Sequence, residues 1–332
     1  MRDLKISPGR SVVLLAPLAA ALLLAGCSFA PTYEQPLAPV ANTWPSGAAN
    51  TGAVANDLSW RDFAQDMRLR EAITLALANN RDLRVATLNI EQVRAQYQIQ
   101  SAARLPTVNA AANATRQVTG DKDITNAFTA GLAMSGWEID FFGRVASLKD
   151  AALAQYMGSE EARNAAQTSL VASVASTWLS LQTSDELLAL TQRTLKTRED
   201  SLRLTQLRFN SGVVSALDLR QAESLLAAAQ ATFAQQQRQR ALDLNALTLL
   251  VGQSLPASAL PLSNDAATPL AEVAAGVPSE VLMRRADVRA AEQQLIAANA
   301  NIGAARAAFF PRISLTASVG SASSELSGLF KS

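Results

Sequence analysis

From Arg144 to Phe209 the chain runs for 66 residues with one glycine, Gly158, and no proline. No proline occurs anywhere between Pro106 and Pro256, so nothing in that stretch breaks a helix through a missing amide hydrogen. A helix of that length extends about 99 Å at the standard rise per residue. Ordinary soluble helices have about 11 or 12 residues. Apolar residues recur along it every seven positions, at Val174, Leu181, Leu188, Leu195, Leu202 and Phe209. That period demands a partner helix with left-handed supercoiling. The partner follows after Asn210-Ser211-Gly212: a helix expected over 215–251, with Leu219, Leu226, Phe233 and Leu247 in its own register and Arg240 interrupting it. Ser215 and Asp218 are spaced as a capping box at its start. Ahead of these, Leu69 to Ala78 is amphipathic, Asn79-Asn80 interrupts, and a second helix restarts at Asp82 and runs to Arg104 before Pro106. This second helix and the returning one together reach about 92 Å. The expected layout is two helices stacked end to end beside one continuous helix.

Composition narrows the function classes. Of 332 residues 17% are charged, with a net charge of +1, so no electrostatic footprint favours nucleic acid. Aromatics are only 5% while hydrophobic residues reach 49%, much of it Ala, which suits closely packed long helices. The chain has no His and a single Cys, Cys27, so its commonest general base and metal ligand are missing and no internal disulfide or thiolate metal cage can form. Glu138 with Asp140, and Glu160 with Glu161, are carboxylate pairs an enzyme could use. With no His and no phosphate-binding loop, the chain reads as a non-enzyme with neither metal nor cofactor.

The amino terminus reads as an export signal over residues 1–26. Arg2, Lys5 and Arg10 precede an apolar run from Val12 to Ala25, too short to span a bilayer, which takes roughly 20 helical residues, but suited to a signal peptide. It ends in Leu24-Ala25-Gly26-Cys27. Small residues before Cys are what a lipoprotein signal peptidase requires, so Cys27 is expected to carry diacylglycerol and an acyl chain. Several chains together make a lasting anchor. Ser28, where an Asp would favour the inner membrane, points to the outer one. Residues 27–57, with Pro31, Pro36, Pro39 and Pro45, are expected to form an extended tether.

Between Pro106 and Gly143 the period changes to two. Val108, Ala110, Ala112 and Ala114 alternate with Asn109, Asn113 and Thr115, and Phe128, Ala130, Leu132 and Met134 alternate with Thr129, Gly131, Ala133 and Ser135. Two strands are expected, over 107–118 and 127–136, joined by the polar loop 119–123, with Trp137, Phe141 and Phe142 as an aromatic belt where the second strand ends. Such alternation fits a transmembrane barrel, and equally a soluble hairpin packed on helices. A repeat decides between them. Shifted by 205 residues, Asp82-Leu83-Arg84 falls on Asp287-Val288-Arg289 and Leu105-Pro106 on Phe310-Pro311, after which Ile313, Leu315, Ala317 and Val319 alternate with polar or small residues. The alternation assigns Thr129, Ser135, Ser314 and Thr316 to the face away from lipid. The expected divisions are a first repeat over 58–252 (strand pair 107–136, helical hairpin 144–251), an equatorial segment over 253–276, and the start of a second repeat over 277–332. A second repeat as long as the first would end near residue 457, about 125 residues past Ser332, so the sequence is expected to be part of a longer protein.

These residues carry a family resemblance. Leu24-Ala25-Gly26-Cys27, Trp60-Arg61-Asp62-Phe63, Asn79-Asn80-Arg81-Asp82-Leu83, Trp137 to Arg144, Arg208-Phe209-Asn210-Ser211-Gly212 with Leu217-Asp218, and the run from Val277 to Pro311 resemble the TolC/OprM family of outer-membrane efflux proteins, in its lipoprotein branch. The resemblance implies an α+β membrane protein with an internal tandem repeat, in which long antiparallel helical hairpins form an α-barrel continuous with a transmembrane β-barrel. Three protomers would build a twelve-strand barrel. It implies a homotrimer in the outer membrane, contacting its lipid and working with a periplasmic adaptor protein and an inner-membrane transporter of the RND class to conduct drugs or small molecules outward. The turn Asn210, Ser211, Gly212, Val213 and Val214 would be the adaptor docking tip, although any helical hairpin needs a similar turn. Asp218 would be a latch of the closed entrance, besides its part in the capping box. A type I secretion duct of the same fold, and a lipid-anchored periplasmic coiled coil without a barrel, are the alternatives.

Overall fold

A computed structural model describes residues 29–37, 40, 58–120, 123–262, 270–271 and 282–330. In chain order the elements are helices α1 (Trp60–Phe63), α2 (Met67–Asn79) and α3 (Arg81–Ala102), strands β1 (Val108–Thr119) and β2 (Asp123–Glu138), helices α4 (Arg144–Asn210) and α5 (Ala216–Val251), a 3₁₀ turn (Ala257–Ala259), helix α6 (Ala286–Ala307), strand β3 (Ser314–Ser323) and a second 3₁₀ turn (Leu326–Gly328). The residues fall into two compact units. One comprises residues up to Pro36, Ile90–Ser159 and Ala290–Ser332; the other comprises Leu37–Asn89 and Glu160–Arg289. No helix among the described residues is long and apolar enough to cross a membrane.

The second unit is built on a dense core. Leu69, Ala72, Ile73 and Ala76 lie on one face of α2 at helical spacing and are at most 2% exposed. They pack with Leu170, Val174, Trp178 and Leu181 of α4 and with Leu247 and Val251 of α5. Asp66 caps α2, its side chain accepting from the amides of Arg68 and Leu69. The Trp178 indole donates to the carbonyl of Ala259 at 2.9 Å, tying the first 3₁₀ turn onto this core. The break between α2 and α3 falls at Asn80, which stays extended (φ −61°, ψ 129°). Its Oδ1 accepts from the Leu83 amide at 2.8 Å and caps α3, while its Nδ2 donates to the Leu250 carbonyl at 2.8 Å. The start of α3 thus meets the end of α5, the junction that two stacked helices beside a longer one require. α3 starts at Arg81, one residue before the expected restart, and stops at Ala102 rather than Arg104.

Beyond the core, α4 and α5 continue as a two-helix ribbon. Leu188, Leu195, Leu202 and Phe209 of α4, with Leu226 and Phe233 of α5, are half-buried in their shared seam. The interruption at Arg240 has a partner: its Nε lies in a short ion pair with Oδ1 of Asp185 on α4. Beside it, Ser184 donates to Asp243 at 2.5 Å. The seam therefore contains one polar layer, satisfied across the two helices.

The first unit contains one antiparallel sheet in the order β1-β2-β3. Its strands are longer than the alternation predicts. β1 ends at Thr119 and β2 begins at Asp123, and those two residues pair, so both ends of the expected loop 119–123 belong to the ladder. The register aligns the apolar sets: Val108 opposite Met134 and that in turn opposite Ala317, Ala110 opposite Leu132 and that opposite Val319, and Val118 opposite Ile124. Asn109, Asn113, Thr129, Ser318 and Ala322 fall on the other face. A bulge between Met134 and Trp137 inserts one residue, with Gly136 at φ +68°, and brings Trp137 rather than Gly136 opposite Leu315. Phe142, expected in an aromatic belt, stacks on Phe310 at 4.7 Å between ring centres.

Candidate docking tip and tube wall

The turn that closes the α4–α5 hairpin is a Schellman motif. The Val213 amide donates to the Arg208 carbonyl at 2.9 Å and the Gly212 amide to the Phe209 carbonyl at 3.0 Å, satisfying two of the last carbonyls of α4. Gly212 sits at φ +74°, a conformation other residues adopt only with strain, and no atom lies within 4 Å of where its Cβ would be. The backbone of the tip is therefore open to an approaching surface. Asn210 accepts from Gln206 at 3.1 Å and the Ser211 hydroxyl donates to the Leu207 carbonyl at 3.0 Å. Val213 is 72% exposed, and Val214 is half-buried. The motif brings all five expected tip residues together.

Asp218 lies one helical turn beyond and caps α5 through Oδ2. Its Oδ2 accepts from the Ser215 amide at 2.9 Å and from the Ser215 hydroxyl at 2.7 Å, while its own amide donates back to that hydroxyl at 3.2 Å. These bonds, the hydroxyl one first, hold its carboxyl below the usual carboxylate range. Two residues absent from the expected tip, Leu207 and Leu217, flank it and are 61% and 65% exposed. Neither belongs to the heptad seam, so periodicity passes over them; the only signal was an apolar residue off the seam next to a helix end. Cys27 lies outside the described residues.

Each helix of the hairpin also carries a second seam. On α4, Leu187, Leu190, Thr194, Thr197, Ser201 and Leu204 repeat at alternating spacings of three and four, rotated about 100° or more from the seam that meets α5. Leu187, Leu190 and Leu204 are 41–53% exposed. The hydroxyls of Thr194 and Thr197 donate to the carbonyls four residues earlier at 3.1 Å each, leaving little unsatisfied polarity on that face. On α5, Leu225, Ala228 and Thr232, and then Leu242, Ala246 and Leu249, fall at the same kind of spacing, with Gln235 and Gln239 at the positions between the two groups. Leu249 is the most exposed of the three leucines.

The sheet offers a comparable open surface. Val108, Val118, Ile124, Leu132, Leu315 and Val319 all lie on its apolar face and are exposed. Soluble monomers seldom leave so continuous an apolar patch bare. Three of the four carboxylates that an enzyme could have used are engaged in ion pairs or helix capping. Glu138 holds the Arg144 guanidinium through two bonds of 2.8 and 2.5 Å, and Asp140 accepts from the Ala146 amide at the start of α4 at 2.7 Å. Glu161 is paired with Arg289.

A family model described as outer membrane efflux protein matches residues 72–253 and 277–332. The toluene efflux pump outer membrane protein TtgC of Pseudomonas putida is 47% identical over 330 residues, spanning 96% of this chain and 68% of that protein. Outer membrane protein OprJ of Pseudomonas aeruginosa is 47% identical over 325 residues, spanning 95% and 68%. Among solved structures, the open state of the MtrE outer membrane channel of Neisseria gonorrhoeae is 41% identical with a TM-score of 0.80, covering 92% of this chain and 69% of that one.

Proposed function

The chain belongs to the outer membrane efflux protein family, a family of transport channels, and we propose that it acts as a homotrimeric duct, lipid-anchored at Cys27, receiving its cargo from an adaptor and an inner-membrane RND transporter. The observation that carries this reading is the double seam. In a closed ring of helices every member touches two neighbours, so each needs two apolar seams about a third of a turn apart or more. α4 and α5 use one seam on each other and present a second to the outside. A two-helix coiled coil that ended there would have no use for the second.

The sheet fits the same scheme. Its apolar face would meet lipid, and its small polar face, with Thr129, Ser135, Ser314 and Thr316, would line the lumen of a shared β-barrel. The equal lengths of α3 and α6, each 22 residues and each followed by a strand, support an internal repeat. Since one relative is named for toluene efflux, small apolar molecules are the proposed cargo. The turn 210–214, with Leu207 and Leu217 beside it, would be the adaptor docking surface, and Asp218 would serve the closed entrance as well as its cap.

Outer membranes containing the protein should show a trimer band on unheated gels that dissociates on heating. A monomer band at every temperature would defeat the duct. Val213→Asp, on an exposed tip side chain, should lower drug or solvent resistance while the trimer band persists. Gly212→Leu should do the same with some added strain. Full resistance in both variants would remove the docking assignment.

A further inference from the structure

The described segment at the amino terminus lies extended along α6 and runs antiparallel to it. Arg306 donates from Nη1 to the Phe29 carbonyl at 3.3 Å, Asn299 from Nδ2 to the Pro31 carbonyl at 2.7 Å, and the Tyr33 hydroxyl donates to Glu292 Oε1 at 3.5 Å. The three helix residues recur every seven positions and so form one column, while the segment advances two residues per contact. Seven helical residues advance about 10.5 Å and two extended ones about 6.7 Å. The long side chains at both ends, Arg306 and Tyr33, cover the difference, and the short Asn299 sits in the middle.

Between these contacts the segment comes too close for a side chain. A Cβ on Gly303 would lie 2.7 Å from the Ala30 Cβ and 2.8 Å from the Ala30 backbone. At the segment's start, the Phe29 ring stacks on Phe310 at 5.0 Å, with ring planes 4° apart, and on Phe142 at 6.4 Å. Phe310 lies in the connection from α6 to β3 and Phe142 in the connection from β2 to α4. Those two connections are already joined by the Ile139 amide donating to the Ile313 carbonyl at 2.9 Å.

We propose that Phe29–Tyr33 is an intramolecular clamp. It occupies a groove on α6 that Gly303 leaves open, and through Phe29 it locks together the two crossings between sheet and helices. Its docking is a property of the peptide and independent of any lipid attached ahead of it. Backbone hydrogen exchange of the full protein in detergent tests this directly, whether or not the trimer forms. Phe29→Ala, which leaves the helices untouched, should raise exchange across residues 29–37 and 299–313 about tenfold. Gly303→Val should do likewise, and Asn299→Ala should act in the same direction without adding bulk. Cys27→Ser should leave both stretches protected. Unchanged exchange over 299–313 in Phe29→Ala would reduce the segment to a passenger, and release of 29–37 by Cys27→Ser alone would show that the lipid, not the groove, holds it. Either result overturns the clamp.

Discussion

The two ends of the α4–α5 hairpin are made of the same residue types and stabilised in different ways. At one end Val174, Trp178 and Leu181 of α4 and Leu247 and Val251 of α5 are at most 3% exposed, enclosed by α2 and the first 3₁₀ turn. At the other, Leu188, Leu195 and Leu202 repeat the same heptad but remain half-buried, because only one helix faces them. A buried Leu loses nearly all of its contact with water within its own chain; a seam Leu on a two-helix ribbon loses only part. One end is therefore stable as a single chain. In the proposed trimer the other would be completed by neighbours, and its exposed second seam marks where they would come.

Measurements at three places in the hairpin would sharpen or break that contrast. The largest effect should come from Trp178→Ala, which empties a closed core and frees the Ala259 carbonyl: a loss of about 3–5 kcal/mol in denaturant unfolding is expected. A loss below about 1 kcal/mol would mean that the enclosed end is not the stable one. Next is the polar layer. Arg240→Leu alone strands Asp185, which is 12% exposed, and should cost about 1–2 kcal/mol, discounted for the exposure of the arginine. Adding Asp185→Leu should recover most of the loss, and no recovery would show that the pair is not coupled. The smallest effect belongs to the tip, where Ser215→Ala should cost about 1 kcal/mol of helix stability. The Asp218 carboxyl is held below its usual range by the Ser215 bonds, so its contribution is complete at neutral pH and fades as pH falls through that lowered value. Asp218→Asn should flatten that part of the pH–stability curve, and an unaltered slope would show that the cap does not titrate with folding.

How much of this was readable beforehand depends on the range of the interaction. The rod, its partner and the seam residues follow from spacing along one stretch of chain, so α4 begins at the expected residue and ends one past it, and α5 begins one residue late only because Ser215 is its cap. The five tip residues were readable for the same local reason, a helix stop with Gly212 in it. Pairing across the chain was not. The strands extend past their alternating cores because each supplies the other's hydrogen bonds, which Thr119 and Asp123 individually do not reveal. The stacking partners of Phe142, Phe310 and Phe29, are likewise distant in sequence, so its place at a strand end does not reveal them. Arg240 looked like a fault in the heptad until Asp185 was placed opposite it.

The extra residue at Ser135–Gly136 has a further consequence for the direction every later side chain points. Pairing these residues one for one, without the bulge, would set Gly136 opposite Leu315 and turn everything downstream over: the Trp137 indole would rotate to the small-residue side, and the Glu138 carboxylate would be thrust toward the oily side, away from Arg144. The strand would keep its hydrogen bonds and its composition, yet its last turn of chain would meet the wrong solvent on each flank.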